Sequence, residues 1–194
     1  MGNRLAFVYP EGFDPQPSLE GETLRLRPLR ESDRAALRQA ASDPLIWAGH
    51  PSSDRHESAV FNPYFDMLLG SGAALIALDP KDRVIGCSVF YTDSIAPSRL
   101  SIGFTFLTRD HWGGASNRAM KRLMLEHIFA TSSEAWFHIG PSNIRSQMAT
   151  TRLGAVFTHT ADIDLGGGVH NWYCYCLTAE NWAANDNEYR SSLG

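Results

Sequence analysis

With 194 residues, 43% of them hydrophobic, the chain can bury one substantial core, and a second domain would have to be very small. A formal net charge of −4 leaves no basic excess for a phosphate backbone, so nucleic acid is not expected as a partner. The longest weakly polar stretch, residues 68 to 78, is too short to cross a bilayer and is broken by Gly70 and Gly72, so no membrane partner is expected either.

Residues 1–17 lack the apolar run of a signal peptide and read as a loose, Pro- and Gly-containing lead-in, so a soluble cytoplasmic protein is expected. One domain is expected over residues 18–183. The first strand falls on Thr23-Leu24-Arg25-Leu26-Arg27-Pro28-Leu29, where apolar and basic residues alternate up to a proline. Ser32 is a candidate cap for a helix through Leu37 and Ala40 that stops before Pro44, and a second helix covers Glu57 to Leu69. Three strands follow over Ala73–Leu78, Val84–Thr92 and Leu100–Leu107, joined by the turn-forming stretches "DPKDR" and "SIAPS".

From Asn117 to Phe129 the period becomes helical. Met120, Leu123, Met124 and Ile128 share one side, and Arg118, Lys121, Arg122 and Glu126 the other. A short strand over Ala135–Ile139, a helix over Asn143–Leu153 ended by Gly154, and a hairpin of Val156–Ile163 with Val169–Leu177 around Gly166-Gly167-Gly168 complete the domain. The last residues, 184–194, are polar and are expected to form a mobile tail. The order β-α-α-β-β-β-α-β-α-β-β implies an α/β (α+β) fold, a mixed sheet of about seven strands with helices on both faces. Cys87, Cys174 and Cys176 read as reduced thiols, the last two pointing the same way along one strand.

The stretch "RDHWGGASNRAMKR" (residues 109–122) lies between a strand and a helix N-terminus. Unpaired N–H groups of a first helical turn and the helix dipole make an anion site there, and Gly113, Gly114 and Ala115 let a ligand approach the backbone. A Walker A loop is excluded by the missing Lys-Ser/Thr pair. A dinucleotide fingerprint is excluded because Glu134 begins the next strand instead of ending it. The plain alternative is a strand-to-helix turn with Ser116 as cap.

The segments "LEGETLRLRPLRESD", "DPLIW", "IGFTFL" leading into "WGGASNRAMKRLML", "NIRSQMATTRLGA" and "YCLTAENW" occur in this order from about Leu19 to Trp182. On these the chain resembles the GNAT superfamily of acyl-CoA N-acyltransferases, in the branch of the ribosomal-protein N-terminal acetyltransferases. The resemblance implies acetyl-CoA as co-substrate and an amine-bearing acceptor, and is compatible with a homodimer. It implies that Trp112, Gly113, Gly114, Ala115, Ser116 and Asn117 wrap the pyrophosphate, with Arg118 beside them, and that the backbone of Phe106, Leu107 and Thr108 bonds the pantetheine. Asn143 and Ser146 match an Asn-x-x-Ser pair facing the pantetheine arm and thiol. Read from the residues alone, Asn143 is equally a helix cap with Ser146 in its first turn.

Acetyl transfer needs a neutral amine, donors for the oxyanion and a proton for the departing thiolate. By resemblance, a backbone N–H at the end of "FTFL" polarises the carbonyl and Ser146 protonates the thiolate. Many relatives carry a Glu where this chain has Ser101, which could at most position a water from the polar face of its strand. His50 and His138 are the candidate substitutes, against the plainer reading of each as a hydrogen-bonded core residue. Cys87 reads as a core residue with nothing beside it to activate a thiolate. Trp47, the segment to His56 and the Gly166–His170 turn would line the acceptor side, Trp47 being equally a core anchor. In the loop, Asp110 stands where the family's Arg or Gln usually does, so affinity would rest on main-chain donors and on Asn117 or Arg118. The competing functional reading is a degenerate acyl-CoA-binding or sensing module.

Overall fold

The computed structural model describes residues 7–50, 52–93, 95–113, 115–166 and 168–191. Eight strands, β1 (Leu19–Glu20), β2 (Arg25–Pro28), β3 (Ala74–Leu78), β4 (Val84–Tyr91), β5 (Ser101–Leu107), β6 (Glu134–Ile139), β7 (Val156–Asp164) and β8 (Val169–Thr178), form one sheet. The order is β1-β2-β3-β4-β5-β6-β8-β7, antiparallel throughout except at β5–β6. The strand beyond the expected seven is the two-residue β1, paired with β2 at Leu19–Leu26. The helices are α1 (Arg34–Ala40), α2 (Ser58–Gly70), α3 (Ala115–Phe129), α4 (Ile144–Thr151) and α5 (Ala179–Ser191).

β3 is buried at every position because helices cover both of its faces. Leu75 and Ala77 enter the core beneath α3 and α5 with Leu26, Ile102, Met124, Ile128 and Trp182. Ala74 and Ile76 enter the opposite core beneath α1 and α2 with Leu37, Trp47, Phe61, Phe65 and Phe106.

Three expectations are corrected. Ser32 does not cap α1: it lies inside a 3-10 turn over Glu31–Asp33, whose Asp33 carboxylate accepts from the Arg30 N–H and bidentately from Arg27 (2.8 Å each). Burial opposes that charge, and Arg27 with the Arg30 N–H nevertheless holds the Asp33 carboxyl below the usual carboxylate range. The polar tail is helical to Ser191, since Trp182 and Asp186 anchor α5 on the sheet and on α3. Lys121 is not on the outer side of α3. It sits in the inward stripe Lys121, Met124, Leu125, Ile128, only 7% exposed.

β5 also departs from strict alternation. The β4–β5 register shifts between Cys87 and Val89, and Phe104 takes a left-handed conformation, φ 52°. This bulge puts Ile102 and Leu107, an odd number of residues apart, in the same core beneath α3. The predicted face shared by Ser101, Gly103 and Thr105 is therefore broken in the middle of the strand.

Candidate active site

The parallel pair β5–β6 touches only at its start. Ser101 pairs with Trp136, whose N–H donates to the Leu100 carbonyl (2.9 Å), and no further pairing of these strands occurs among the described residues. Past that vertex the strands part, leaving a cleft of about 1970 Å³ between residues 103–107 on one arm and 137–141 on the other. Its walls carry five basic residues, Arg55, Arg118, Lys121, Arg145 and Arg152, and two acidic ones, Asp54 and Asp66. Basic side chains thus outnumber acidic ones on these walls although the chain as a whole is acidic, an arrangement suited to an anionic ligand.

Trp112, Gly113, Ala115, Asn117 and Arg118 line one end of the cleft. Arg109–His111 form a 3-10 turn, Gly113 takes φ +68°, and α3 starts at Ala115. Its first-turn amides lack i−4 carbonyl partners within the helix. A Cβ on Gly113 would meet nothing within 4 Å, so its glycine serves the backbone conformation and not a close contact. Gly114 lies outside the described residues. Ser116 stands within α3, off the cleft wall, so it is not the expected cap. The Trp112 indole donates to the Leu107 carbonyl (3.0 Å) and lies under the Arg145 guanidinium (4.1 Å), which itself donates to the Ile46 carbonyl (2.7 Å). Arg118 is committed to α5: it donates to Asn185 Oδ1 (3.0 Å), pairs with Asp186 (3.3 Å) and lies over the Tyr189 ring (3.9 Å). Asp110 is exposed beside His111 and does not line the cleft, so its charge does not confront a ligand there.

Phe106 and Leu107 line the cleft, but Thr108 does not. Its N–H donates to the Ile85 carbonyl (2.8 Å) and its hydroxyl contacts His111 (2.9 Å). Asn143 bears out the capping reading: its side chain caps α4 by accepting from the Ser146 N–H (3.2 Å), and both residues line the cleft.

Ser101 disagrees with its expected role. It is wholly buried, it does not line the cleft, and its hydroxyl has no hydrogen-bond partner among the described residues. On the acceptor side, Trp47 is 2% exposed and donates to the Ala41 carbonyl (2.9 Å), so it is a core anchor that also presents its ring to the cleft. His50 accepts from the Ser52 N–H (2.9 Å), and burial, then Arg55, pushes its imidazole down to about 4. His138 lines the cleft, shares a 2.8 Å hydrogen bond with the Tyr91 hydroxyl and lies 3.5 Å from Asp93. Burial lowers its basicity further than Asp93 restores it. Gly166, Gly168 and His170 reach the same wall, as expected of the hairpin, with Gly167 outside the described residues.

Sequence reasoning missed Lys121, Tyr91 and Arg145 among the residues lining the cleft. The Lys121 ammonium donates to Thr105 Oγ1 (2.7 Å) on the cleft wall, and burial depresses it to about 7. Its signal was its spacing of three, four and seven residues from Met124, Leu125 and Ile128. Burial raises the Cys87 thiol to about 12, leaving it no thiolate. Among the described residues no cluster of His, Cys, Asp or Glu could hold a metal ion, and no helix is long and apolar enough to cross a membrane.

The model of the acetyltransferase (GNAT) domain family matches residues 23–156. No curated protein matches the sequence. Among solved structures, the fold is similar to a GCN5-related N-acetyltransferase from Brucella melitensis, with TM-score 0.74, 18% identity, and coverage of 92% of this chain and 86% of that one. It is similar also to a GNAT-family acetyltransferase from Bacillus anthracis (TM-score 0.64, 14% identity, 84% and 99% covered). A third is RimJ from Mycobacterium smegmatis in complex with CoA-disulfide (TM-score 0.60, 16% identity, 84% and 87% covered). At these identities the likeness is one of fold. The family match, spanning most of the chain and both arms of the cleft, makes this protein a member of the GNAT acetyltransferase family, whose chemistry is acyl transfer from acyl-CoA to an amine.

Proposed function

We propose that the protein transfers an acetyl group from acetyl-CoA to a primary amine, of a small molecule, a peptide or a protein N-terminus, by direct attack in a ternary complex. The observation that carries this reading is the cleft opened where β5 and β6 part, with cationic walls and with the Gly113 turn and the α3 N-terminus at one end. A pyrophosphate fits that end, held by first-turn amides of α3 with Asn117 beside them. The pantetheine would run between the arms, past Phe106 and Leu107 on one side and Asn143 and Ser146 on the other. Ser146 is the proton donor to the CoA thiolate, and Trp47, His50 and His138 face the acceptor.

Direct transfer is favoured over a covalent acyl-enzyme because Cys87, on β4 opposite Phe106 of the cleft strand β5, is sealed in the core with its acidity suppressed. A cytoplasmic location and action without nucleic acid belong to the same reading.

Thermal melting tests the first half. Acetyl-CoA at about 100 times its Kd stabilises by about 2.7 kcal/mol, raising Tm by about 5–10 °C in a chain of this size. No shift would end the reading. A second reading, a binding module that has lost catalysis, is favoured by the sealed Ser101 where a carboxylate often stands. Release of free CoA from acetyl-CoA in the presence of a primary amine excludes it.

A further inference from the structure

We propose that His50 and Arg55 form the binding site for an anionic group, a carboxylate or a phosphate, carried by the acceptor amine. The inference rests on the acetyl-transfer reading above and names the class of acceptor. Both side chains are half-buried on the cleft wall, in the loop that follows Trp47, where a ligand in the cleft can reach them.

The direction of the hydrogen bonds carries the argument. A backbone N–H can only donate, so the bond from the Ser52 N–H to His50 Nδ1 (2.9 Å) finds Nδ1 without a proton. Burial, then the charges of Arg55 and Arg145, hold the ring down at about 4, so at neutral pH its single proton is on Nε2. Arg55 Nη1 lies 3.4 Å from that Nε2. A guanidinium carries donors and no acceptor, so two N–H groups confront each other there, and neither has an acceptor among the described residues. An anion oxygen about 2.9 Å from each nitrogen turns this repulsive contact into two hydrogen bonds, one of them charge-assisted.

The surroundings hold the pair in place without consuming those donors. The Arg55 guanidinium lies over the Tyr64 ring (4.1 Å) and near the Trp47 ring (5.5 Å). The His50 ring stands edge-on to Trp47 (5.8 Å between centroids), and its backbone N–H donates to the Trp47 carbonyl (2.9 Å). Among the described residues Arg55 forms no ion pair, although Asp54 precedes it, and Asp66, the other carboxylate of the wall, is taken by Arg34 (2.6 Å). Arg118, by contrast, has Asp186 at 3.3 Å. A half-buried cation short of a counter-ion, beside a donor short of an acceptor, is an arrangement that an oxyanion completes. Acetyl-CoA brings phosphates of its own, which the reading above assigns to the Gly113 end. Tyr64, under Arg55, instead bonds the Phe104 carbonyl (3.4 Å) at the bulge in the middle of β5, so this second anion belongs to the acceptor.

The probes are matched amines that differ in the anion: α-amino acids against their amides, and aminoalkyl phosphates against the corresponding amino alcohols. Each is offered with acetyl-CoA while released CoA is trapped by a thiol reagent. The wild type should favour the anionic member of one series at least about tenfold in kcat/KM, and the series that shows it separates carboxylate from phosphate. Arg55→Gln should cut that preference about 10- to 100-fold through the KM of the anionic amine, with the Kd of acetyl-CoA unchanged within twofold by calorimetry, and Arg55→Lys should restore part of it. A purely structural role would weaken both members of a pair alike. No preference in the wild type, or a preference that survives Arg55→Gln, overturns the anion site while leaving acetyl transfer standing. A Kd for acetyl-CoA weakened tenfold by Arg55→Gln assigns the pair to CoA and overturns it too. Acetyl-CoA binding with no amine of the panel turned over by the wild type overturns acetyl transfer, and the site with it.

Discussion

Replacing Lys121 by Met should stabilise the protein at neutral pH, and the gain should vanish as pH rises. Lys121 is 7% exposed, and burial lowers its ammonium from 10.5 to about 7. At about 1.4 kcal/mol for each tenfold change in proton affinity, this corresponds to about 5 kcal/mol of native-state cost. Above pH 10.5 the amine is neutral in both states and costs nothing. Below pH 7 it is charged in both, and the native state bears the whole cost. Between them the unfolded chain binds the extra proton, so wild-type stability climbs with pH. Methionine has a similar length and no charge, but gives up the bond to Thr105, worth about 1 kcal/mol; Thr105 keeps Ser88 at 2.7 Å. Lys121→Met should therefore be more stable than wild type by about 3 kcal/mol at pH 7, where the native amine is half deprotonated, and less stable by about 1 kcal/mol above pH 10.5. Urea unfolding followed by tryptophan fluorescence at pH 7, 8, 9 and 10 reads the difference, in which other titrations common to both proteins cancel. A difference that stays constant across that range, or a variant less stable at pH 7, would refute the argument that Lys121 is held at a depressed affinity in the core.

A negative charge at the start of α3 should repel the pyrophosphate: Ala115→Asp should weaken acetyl-CoA binding at least about tenfold by calorimetry, and an unchanged Kd would show that the phosphates lie elsewhere. Ser146→Ala should lower kcat about 100-fold with amine and acetyl-CoA while leaving α4 intact, because the cap from Asn143 is to the Ser146 backbone N–H; a kcat within twofold removes Ser146 from the reaction. Gly86→Ala drives a Cβ into the Phe106 carbonyl oxygen and to 3.0 Å from the Leu107 Cα, both backbone, so it should cost about 3 kcal/mol or more. Gly113→Ala meets nothing within 4 Å and should cost only the left-handed penalty of about 1–2 kcal/mol; comparable losses by urea unfolding would contradict the close β4–β5 approach.

What could be read from the letters was what is local. Alternation and turn residues placed β2 to β8 within a few positions, because a strand's faces follow from a period of two and "DPKDR" can close only a tight turn: Asp79 accepts from the Lys81 and Arg83 N–H groups (2.9 Å each). The Gly113 turn into a helix and the Asn143 cap were legible for the same reason, since each is made within four residues. The family resemblance supplied the order of these parts and the cleft's purpose.

Only the tertiary structure decided where the strands part and what meets at the vertex. The β5 bulge depends on its pairing with β4, and it overrode the face that strict alternation assigned to Ser101, Gly103 and Thr105. Lys121 was read as outward because charge normally is, whereas its spacing with Met124, Leu125 and Ile128 carries it inward once the helix packs. The polar composition of residues 184–191 gave no reason for a helix, and it was contacts with Arg118, 67 and 68 residues away, that ordered it. Tyr91 and His138 are 47 residues apart and on strands that are not neighbours, so their hydrogen bond is a product of sheet order, and no local period encodes it.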